Sequence, residues 1–237
     1  MLGRLIRRDM AVYRLDDDSY EFPSAELADA EYGGMLALGG DYSIDRLLEA
    51  YTHGIFPWPV EVGRPITWFS PDPRFVLMAS DLHIPKSLKK TLHKNLFEYK
   101  VDAAFPEVIH ECGSVARPGQ EGTWITDDLE KGYCALQKAG FAHSFEAWQN
   151  GRLVGGFYGV AIGKCFFGES MFARVPDASK CAFAVFARRM FDAGVPWIDC
   201  QVYTDHLARF GAKEIPRKEY LALLKAALLE TVENSEG

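Results

Sequence analysis

The chain contains no apolar run approaching the roughly 18–20 residues that span a bilayer; charge or glycine interrupts every long stretch. Cysteine pairs at CxxC spacing are missing too. Cys112, Cys134, Cys165, Cys181 and Cys200 are odd in number and far apart, which argues against a zinc site or a disulfide framework and for reduced thiols in a cytoplasm. The six histidines form no HxH or HxxxH pair, so no metal site is expected. Excess positive charge is also lacking. A net charge of −7 disfavours wrapping a long duplex, although it leaves room for a local basic patch. The opening residues, Met1-Leu2-Gly3-Arg4-Leu5-Ile6-Arg7-Arg8, lack the apolar core and cleavage site of a secretory signal. A soluble, cytoplasmic, monomeric protein is the expectation, with no membrane partner.

What is present fits a globular protein: 237 residues, 48% apolar, 25% charged and 13% aromatic. At about 100–200 residues per domain, the length allows one large domain or two small ones. The composition changes near residue 75. Up to Arg74 the chain is rich in glycine, proline and aromatics, with one helix between a Ser43 cap and Gly54, its apolar face made by Leu47, Leu48 and Tyr51. This predicts a small, irregular N-terminal domain over 1–75 and a second domain over 76–237.

In the second segment Pro85 opens a helix with Leu88 and Leu92 four apart, and another short helix covers Pro106 to Cys112. A third runs from a Thr126 cap to Ala139, burying Leu129, Tyr133 and Leu136. From His143 the period becomes that of strands. Ser144 to Gln149 and Arg152 to Ala161 flank Asn150-Gly151, the dipeptide suited to a type I′ hairpin turn, and Cys165 to Met171 is a third strand. A helix capped by Asp177 or Ser179, a short strand within Pro196 to Val202 and two further helices, beginning near Thr204 and at Pro216, complete the chain. An antiparallel meander followed by helix, strand and helix is the outline of a GNAT-type acyltransferase, giving an α+β fold class overall.

Three blocks are more specific than periodicity. They are Gly39-Gly40-Asp41 through Gly54-Ile55-Phe56-Pro57-Trp58 to Trp68-Phe69-Ser70-Pro71-Asp72-Pro73-Arg74; Phe167-Gly168-Glu169-Ser170-Met171-Phe172; and Ile198-Asp199-Cys200-Gln201. With Thr123-Trp124-Ile125-Thr126 between them, in this order, they resemble the bacterial leucyl/phenylalanyl-tRNA–protein transferases from about Phe22 to the C-terminal helix. The resemblance implies a small N-terminal domain packed on a GNAT-like one, and no cofactor or metal. It implies transfer of leucine or phenylalanine from aminoacyl-tRNA to proteins beginning with Arg or Lys, which marks them for degradation by the N-end rule.

That chemistry makes modest demands. The ester is already activated, and a protein α-amine with a pKa near ~7.7–8.0 has a usable neutral fraction, so proximity and the movement of one proton suffice. The resemblance assigns catalysis to Asp199 and Gln201, the carboxylate orienting the glutamine, whose carbonyl oxygen accepts a hydrogen bond from the amine. Their i, i+2 spacing on a strand would place them on one face. Without the motif, a strand-end pair that only satisfies buried backbone would be slightly the better reading; the motif match reverses that. Glu169 is expected to meet the substrate's cationic N-terminus or the terminal ribose, with Ser170 beside it. Trp58 and Trp124 are candidate platforms for the 3′-terminal adenine, whereas Trp68, Trp148 and Trp197 are assigned to packing. Phe157, Phe166, Phe183 and Ile198 fall where the family builds its aminoacyl side-chain pocket. The family often has methionine and leucine in place of Phe157 and Phe183, so two extra rings narrow it.

Lys86, Lys89, Lys90 and Lys94 cluster on the Pro85 helix and are candidates for tRNA phosphates; a solvated lysine face is the ordinary alternative. Other readings compete. An acetyl-CoA-dependent N-acetyltransferase would need a glycine-rich turn before the helix that follows the third strand. The chain has Arg174-Val175-Pro176-Asp177-Ala178-Ser179-Lys180 there, without glycine. A peptidoglycan-bridge aminoacyltransferase is typically longer, and a non-catalytic RNA-binding adaptor would need no Asp199–Gln201 pair.

Overall fold

The computed structural model describes residues 3–7, 10–58, 64–114 and 125–233. Trp124 lies outside them. The N-terminal segment is more regular than its glycine and proline content predicts. β1 (Gly3–Arg7) pairs antiparallel with β2 (Met10–Arg14), which runs parallel to β3 (Met35–Leu38). Beyond α1 (Ile44–Thr52), the short strands β4 (Phe56–Pro57) and β5 (Thr67–Phe69) complete a sheet of order β1-β2-β3-β5-β4. Strands this short give alternation too few positions to register. The Ser43 hydroxyl makes no capping bond to α1; instead the Asp41 carboxylate accepts the Ser43 N–H at 2.8 Å.

The second sheet begins with β6 (Arg74–Met78). α2 (Lys86–His93), β7 (Glu98–Val101), α3 (Phe105–Ser114) and α4 (Asp127–Lys138) follow, the last capped by Thr126 as predicted. β8 (Ala142–Gln149), β9 (Arg152–Ile162) and β10 (Cys165–Ala173) form the meander. Asn150 and Gly151 both adopt the positive φ that a type I′ turn requires. α5 (Ala178–Asp192) crosses over to β11 (Trp197–Asp199), which lies parallel to β10; α6 (Asp205–Ala208), β12 (Lys213–Ile215) and α7 (Arg217–Glu233) end the fold. The strand order is β12-β6-β11-β10-β9-β8-β7. This is the expected GNAT-like outline, extended by three strands that periodicity did not reveal: β6, β7 and β12. Of the two expected caps of α5, Asp177 occupies the N-cap position with φ 64°, but its side chain makes no capping bond and its carboxylate pairs with Lys180 at 3.0 Å, while Ser179 lies inside the helix.

Alternation along the central strands feeds two cores, one on each face. Phe157, Phe166 and Ile198 join Phe183 and Phe186 of α5. Their neighbours Tyr158, Phe167 and Trp197 join α3, α4 and the N-terminal residues Leu47, Tyr51, Phe56 and Trp68. The small N-terminal part is thus packed on the second sheet through a shared core. Arg217 reinforces the join, its guanidinium donating to the carbonyl oxygens of Ser70 and Ala28.

α4 approaches the N-terminal part closely because residue 132 is glycine: a Cβ there would lie 2.5 Å from Tyr42 Cβ and 2.7 Å from its carbonyl oxygen. Gly132→Ala gains helix propensity of about 1 kcal/mol but must push α4 outward, an overpacking cost of about 1–3 kcal/mol. Urea unfolding is expected to show a net loss of stability, in contrast to the gain that the same substitution gives at an unobstructed helical position.

Candidate active site

The parallel pairing of β10 with β11 runs from Cys165↔Trp197 to Phe167↔Asp199 and stops. Beyond it β10 bulges between Gly168 and Ser170, leaving Glu169 as the extra residue, while the other chain turns away through Gln201. A cavity of about 390 Å³ opens at this divergence. Its apolar wall contains Phe157, Phe166, Phe183 and Ile198, its polar end contains Glu169, Ser170, Asp199 and Gln201, and the half-buried Trp58 also lines it. Nine of the residues singled out in the sequence therefore line one cavity.

Asp199 and Gln201 are arranged differently from the strand-face pair expected of them. Asp199 ends β11 and is wholly buried; Gln201 lies beyond the strand with φ 61°. A non-glycine residue in this region carries strain and persists only where its surroundings hold it. Here the Gln201 N–H donates to Asp199 Oδ1 at 2.9 Å, and the Gln201 carbonyl accepts the Phe75 N–H at 3.1 Å. The carboxylate orients the glutamine backbone, not its side chain. Asp199 has nothing left to offer a substrate. Arg74 Nε and the Gln201 N–H donate to Oδ1, and Arg74 Nη2 and the Tyr220 hydroxyl to Oδ2, which fills the roughly four acceptor positions of a carboxylate. Burial disfavours the Arg74 charge, but the Asp199 carboxylate more than offsets this and holds the guanidinium firmly protonated.

The Gln201 side chain belongs instead to Glu169, with Nε2 donating to Oε1 at 2.7 Å. Two tyrosines complete the surroundings of that carboxyl. Tyr51 Oη lies 2.6 Å from Oε1, Tyr133 Oη lies 3.1 Å from Oε2, and the two phenols hydrogen-bond each other. Burial pushes Glu169 up to about 8; the nearby Asp199 charge adds to this, while its hydrogen bonds with Tyr51, Tyr133 and Gln201 oppose it. Neither tyrosine stood out in the sequence, because each sits on the buried stripe of a helix. The available signal was chemical: a buried phenol needs a partner for its hydroxyl.

The other candidates divide. Trp58 is half-buried, with its ring 5.7 Å from that of Phe69. Trp68 and Trp197 are buried and Trp148 donates to Glu146, all three in packing roles. Lys86, Lys89 and Lys90 on α2 and Lys94 just after it are exposed and lie outside the cavity. Thr204 caps α6, its hydroxyl oxygen accepting the Leu207 N–H. His206 was missed. It lines the cavity beside Leu207, and burial, with Lys180 and Arg209 nearby, lowers it to about 4, so its imidazole is neutral. No metal-binding cluster of His, Cys, Asp or Glu occurs among the described residues.

Asp199→Asn leaves Arg74 buried without a counter-charge and is expected to cost about 3–5 kcal/mol in urea unfolding. Gln201→Ala removes one side-chain bond near the cavity and should cost no more than about 1.5 kcal/mol by the same measurement. Equal losses would contradict the division between a buried anchor and a group at the cavity.

A model of the family described as leucyl/phenylalanyl-tRNA protein transferase matches residues 76–225, and the model of that family's N-terminal domain matches residues 40–72. A Myxococcus xanthus protein named leucyl/phenylalanyl-tRNA–protein transferase is 53% identical over 222 residues, 93% of this chain and 94% of its own. A relative of the same name from Methylococcus capsulatus is 52% identical over 209 residues, 88% of each chain. Among solved structures, a GCN5-related N-acetyltransferase from Kribbella flavida aligns at 12% identity and a TM-score of 0.34, covering 75% of this chain and 63% of its own, too remote to carry weight. On matches that reach both sheets and span each relative almost end to end, the chain belongs to the leucyl/phenylalanyl-tRNA–protein transferase family, and it is an aminoacyltransferase acting between aminoacyl-tRNA and protein.

Proposed function

We propose that the protein carries leucine or phenylalanine from the 3′ end of a charged tRNA to the α-amine of proteins beginning with Arg or Lys, marking them for degradation. The observation that carries this reading is a single cavity, apolar along Phe157, Phe166, Phe183 and Ile198 and polar at Glu169 and Gln201. The aminoacyl side chain enters the apolar part, which brings its ester carbonyl to the polar end. With Gln201 Nε2 committed to Glu169, the glutamine carbonyl oxygen is the end left for the attacking amine. An amide is a poor base, so Gln201 aligns the amine and polarises its N–H without removing the proton. Nitrogen bonds to the ester carbon, the bond to the ribose oxygen breaks, and the amine's proton ends on that oxygen. Asp199 acts behind Gln201 as a positioning residue.

Trp58 in the cavity lining provides a face for the terminal adenine, a stacking contact of about 1–3 kcal/mol per base. Trp124 is assigned the same role from its motif alone. The lysines of α2 supply sequence-independent contacts to acceptor-end phosphates, weakened by salt. Transfer of an acetyl group from acetyl-CoA is disfavoured by the negative charge of Asp177 at the α5 N-terminus, where a pyrophosphate would have to bind.

Purified protein given radiolabelled Leu-tRNA or Phe-tRNA should label peptides starting with Arg or Lys and leave an otherwise identical Ala peptide unlabelled, without acetyl-CoA. Equal labelling of the Ala peptide would refute the substrate assignment. Gln201→Ala should lower kcat about 10–100-fold, the value of a hydrogen bond to a charge-bearing group. Phe157→Met combined with Phe183→Leu widens the apolar wall and should raise use of Phe-tRNA relative to Leu-tRNA. The effect should fall within the roughly 10–200-fold range that a few methylenes of pocket volume command.

A further inference from the structure

Tyr51 on α1, Tyr133 on α4 and Glu169 at the β10 bulge close a ring of three oxygen–oxygen contacts: phenol to phenol, Tyr51 to Oε1 and Tyr133 to Oε2. Each contact requires one proton between its oxygens. The phenols bring two. With an ionised carboxylate, one contact of the ring sets lone pair against lone pair; with a protonated carboxyl, every contact is filled. Gln201 locates the third proton, since its Nε2–H obliges Oε1 to accept. The proton therefore sits on Oε2 and is donated to Tyr133, Tyr133 donates to Tyr51, and Tyr51 donates to Oε1.

We infer that a closed ring of hydrogen bonds with Tyr51 and Tyr133 holds Glu169 as a neutral carboxylic acid, and that the two phenols are positioning residues of the transfer site. The charged and packed neighbours set the background for this ring. Asp199 on β11 is an anion, already neutralised by Arg74 of β6 and hydrogen-bonded by Tyr220 of α7. Tyr158 of β9 packs edge-on against Tyr133. No cation pairs with Glu169 among the described residues, and its burial raises its pKa, as noted above.

The consequence for transfer rests on the function proposed above. A carboxylate beside the incoming amine would favour its ammonium form, which cannot attack; a neutral acid does not. Because Oε1 only accepts, it also keeps the Gln201 nitrogen towards Glu169 and the glutamine carbonyl towards the substrate.

The test is carbon-13 NMR of the full chain labelled at glutamate side-chain carboxyls, with the Glu169 signal identified by its loss in Glu169→Gln. The signal is expected to report a protonated carboxyl at pH 7; an ionised carboxyl by about pH 6 would overturn the inference without any further variant. Tyr133→Phe then gives a change of diagnostic sign. Removing the acceptor of the carboxyl proton should lower the midpoint, by about one unit for a tenfold change in ionisation. Were Tyr133 a donor to a carboxylate, its loss would raise the midpoint, and the ring would be wrong. In single-turnover transfer, Tyr133→Phe should move the alkaline decline in rate to lower pH. An unmoved profile would remove the positioning role. The titration needs no tRNA or peptide, so it stands or falls separately from the substrate assignment.

Discussion

The buried pairing of Arg74 with Asp199 is the interaction on which the site depends. It joins the first residue of β6 to the last of β11, and its guanidinium also donates to the Gly54 carbonyl, just beyond α1, at 3.1 Å. The Arg74 guanidinium lies 4.7 Å from the Phe56 ring centroid and 4.4 Å from that of Tyr220, so residues from both sheets and the C-terminal helix converge on one cation. A buried ion pair is weak evidence of net stability, because desolvation consumes most of the Coulombic gain. Its value here is positional. Only a fully committed carboxylate can accept the Gln201 N–H at a fixed place and hold that residue in its left-handed conformation.

Glu169 is the complementary case. Where Asp199 has a permanent counter-charge, Glu169 has hydrogen-bond partners but no cation among the described residues, and it stands at the cavity. Two carboxyls near each other in low dielectric are driven apart in protonation state, since each disfavours the other's charge. The fold assigns the charge to the residue that has the arginine. On the inference drawn above, the other carboxyl is the neutral one.

Much of this was legible in the sequence where the signal was local. The helices, the Asn150–Gly151 hairpin and the α4 cap rest on near-neighbour chemistry, and the structure places them as expected to within a few residues. The nine cavity residues came from motif identity rather than periodicity. What was not legible depends on contacts distant in the chain. The strands β1 to β5 are too short and too interrupted to alternate visibly. The bulge at Glu169 exists only against β9, and the conformation of Gln201 only against β6. Tyr51 and Tyr133 are 82 positions apart, so no window along the chain could pair them. Reading Asp199 and Gln201 as neighbours on a strand face failed for the same reason: the strand ends between them, and the partner that holds the glutamine side chain comes from β10.

The location of the cavity follows from how the central strands are paired. β10 has β9 on one side along its whole length but β11 on the other only as far as Phe167. Past that point both strands have side chains and no shared ladder, and the cavity lies in the gap between them. The two cores meet at this gap. Phe166 and Ile198 contribute the apolar wall from one face, while Phe167 and Asp199, the next residues along, lead to the polar residues of the other. The apolar wall and the polar end of the cavity are therefore separated by a single residue of strand. An activated ester needs little more from its enzyme than this separation held rigidly, and the buried ion pair below and the bulge above supply that rigidity.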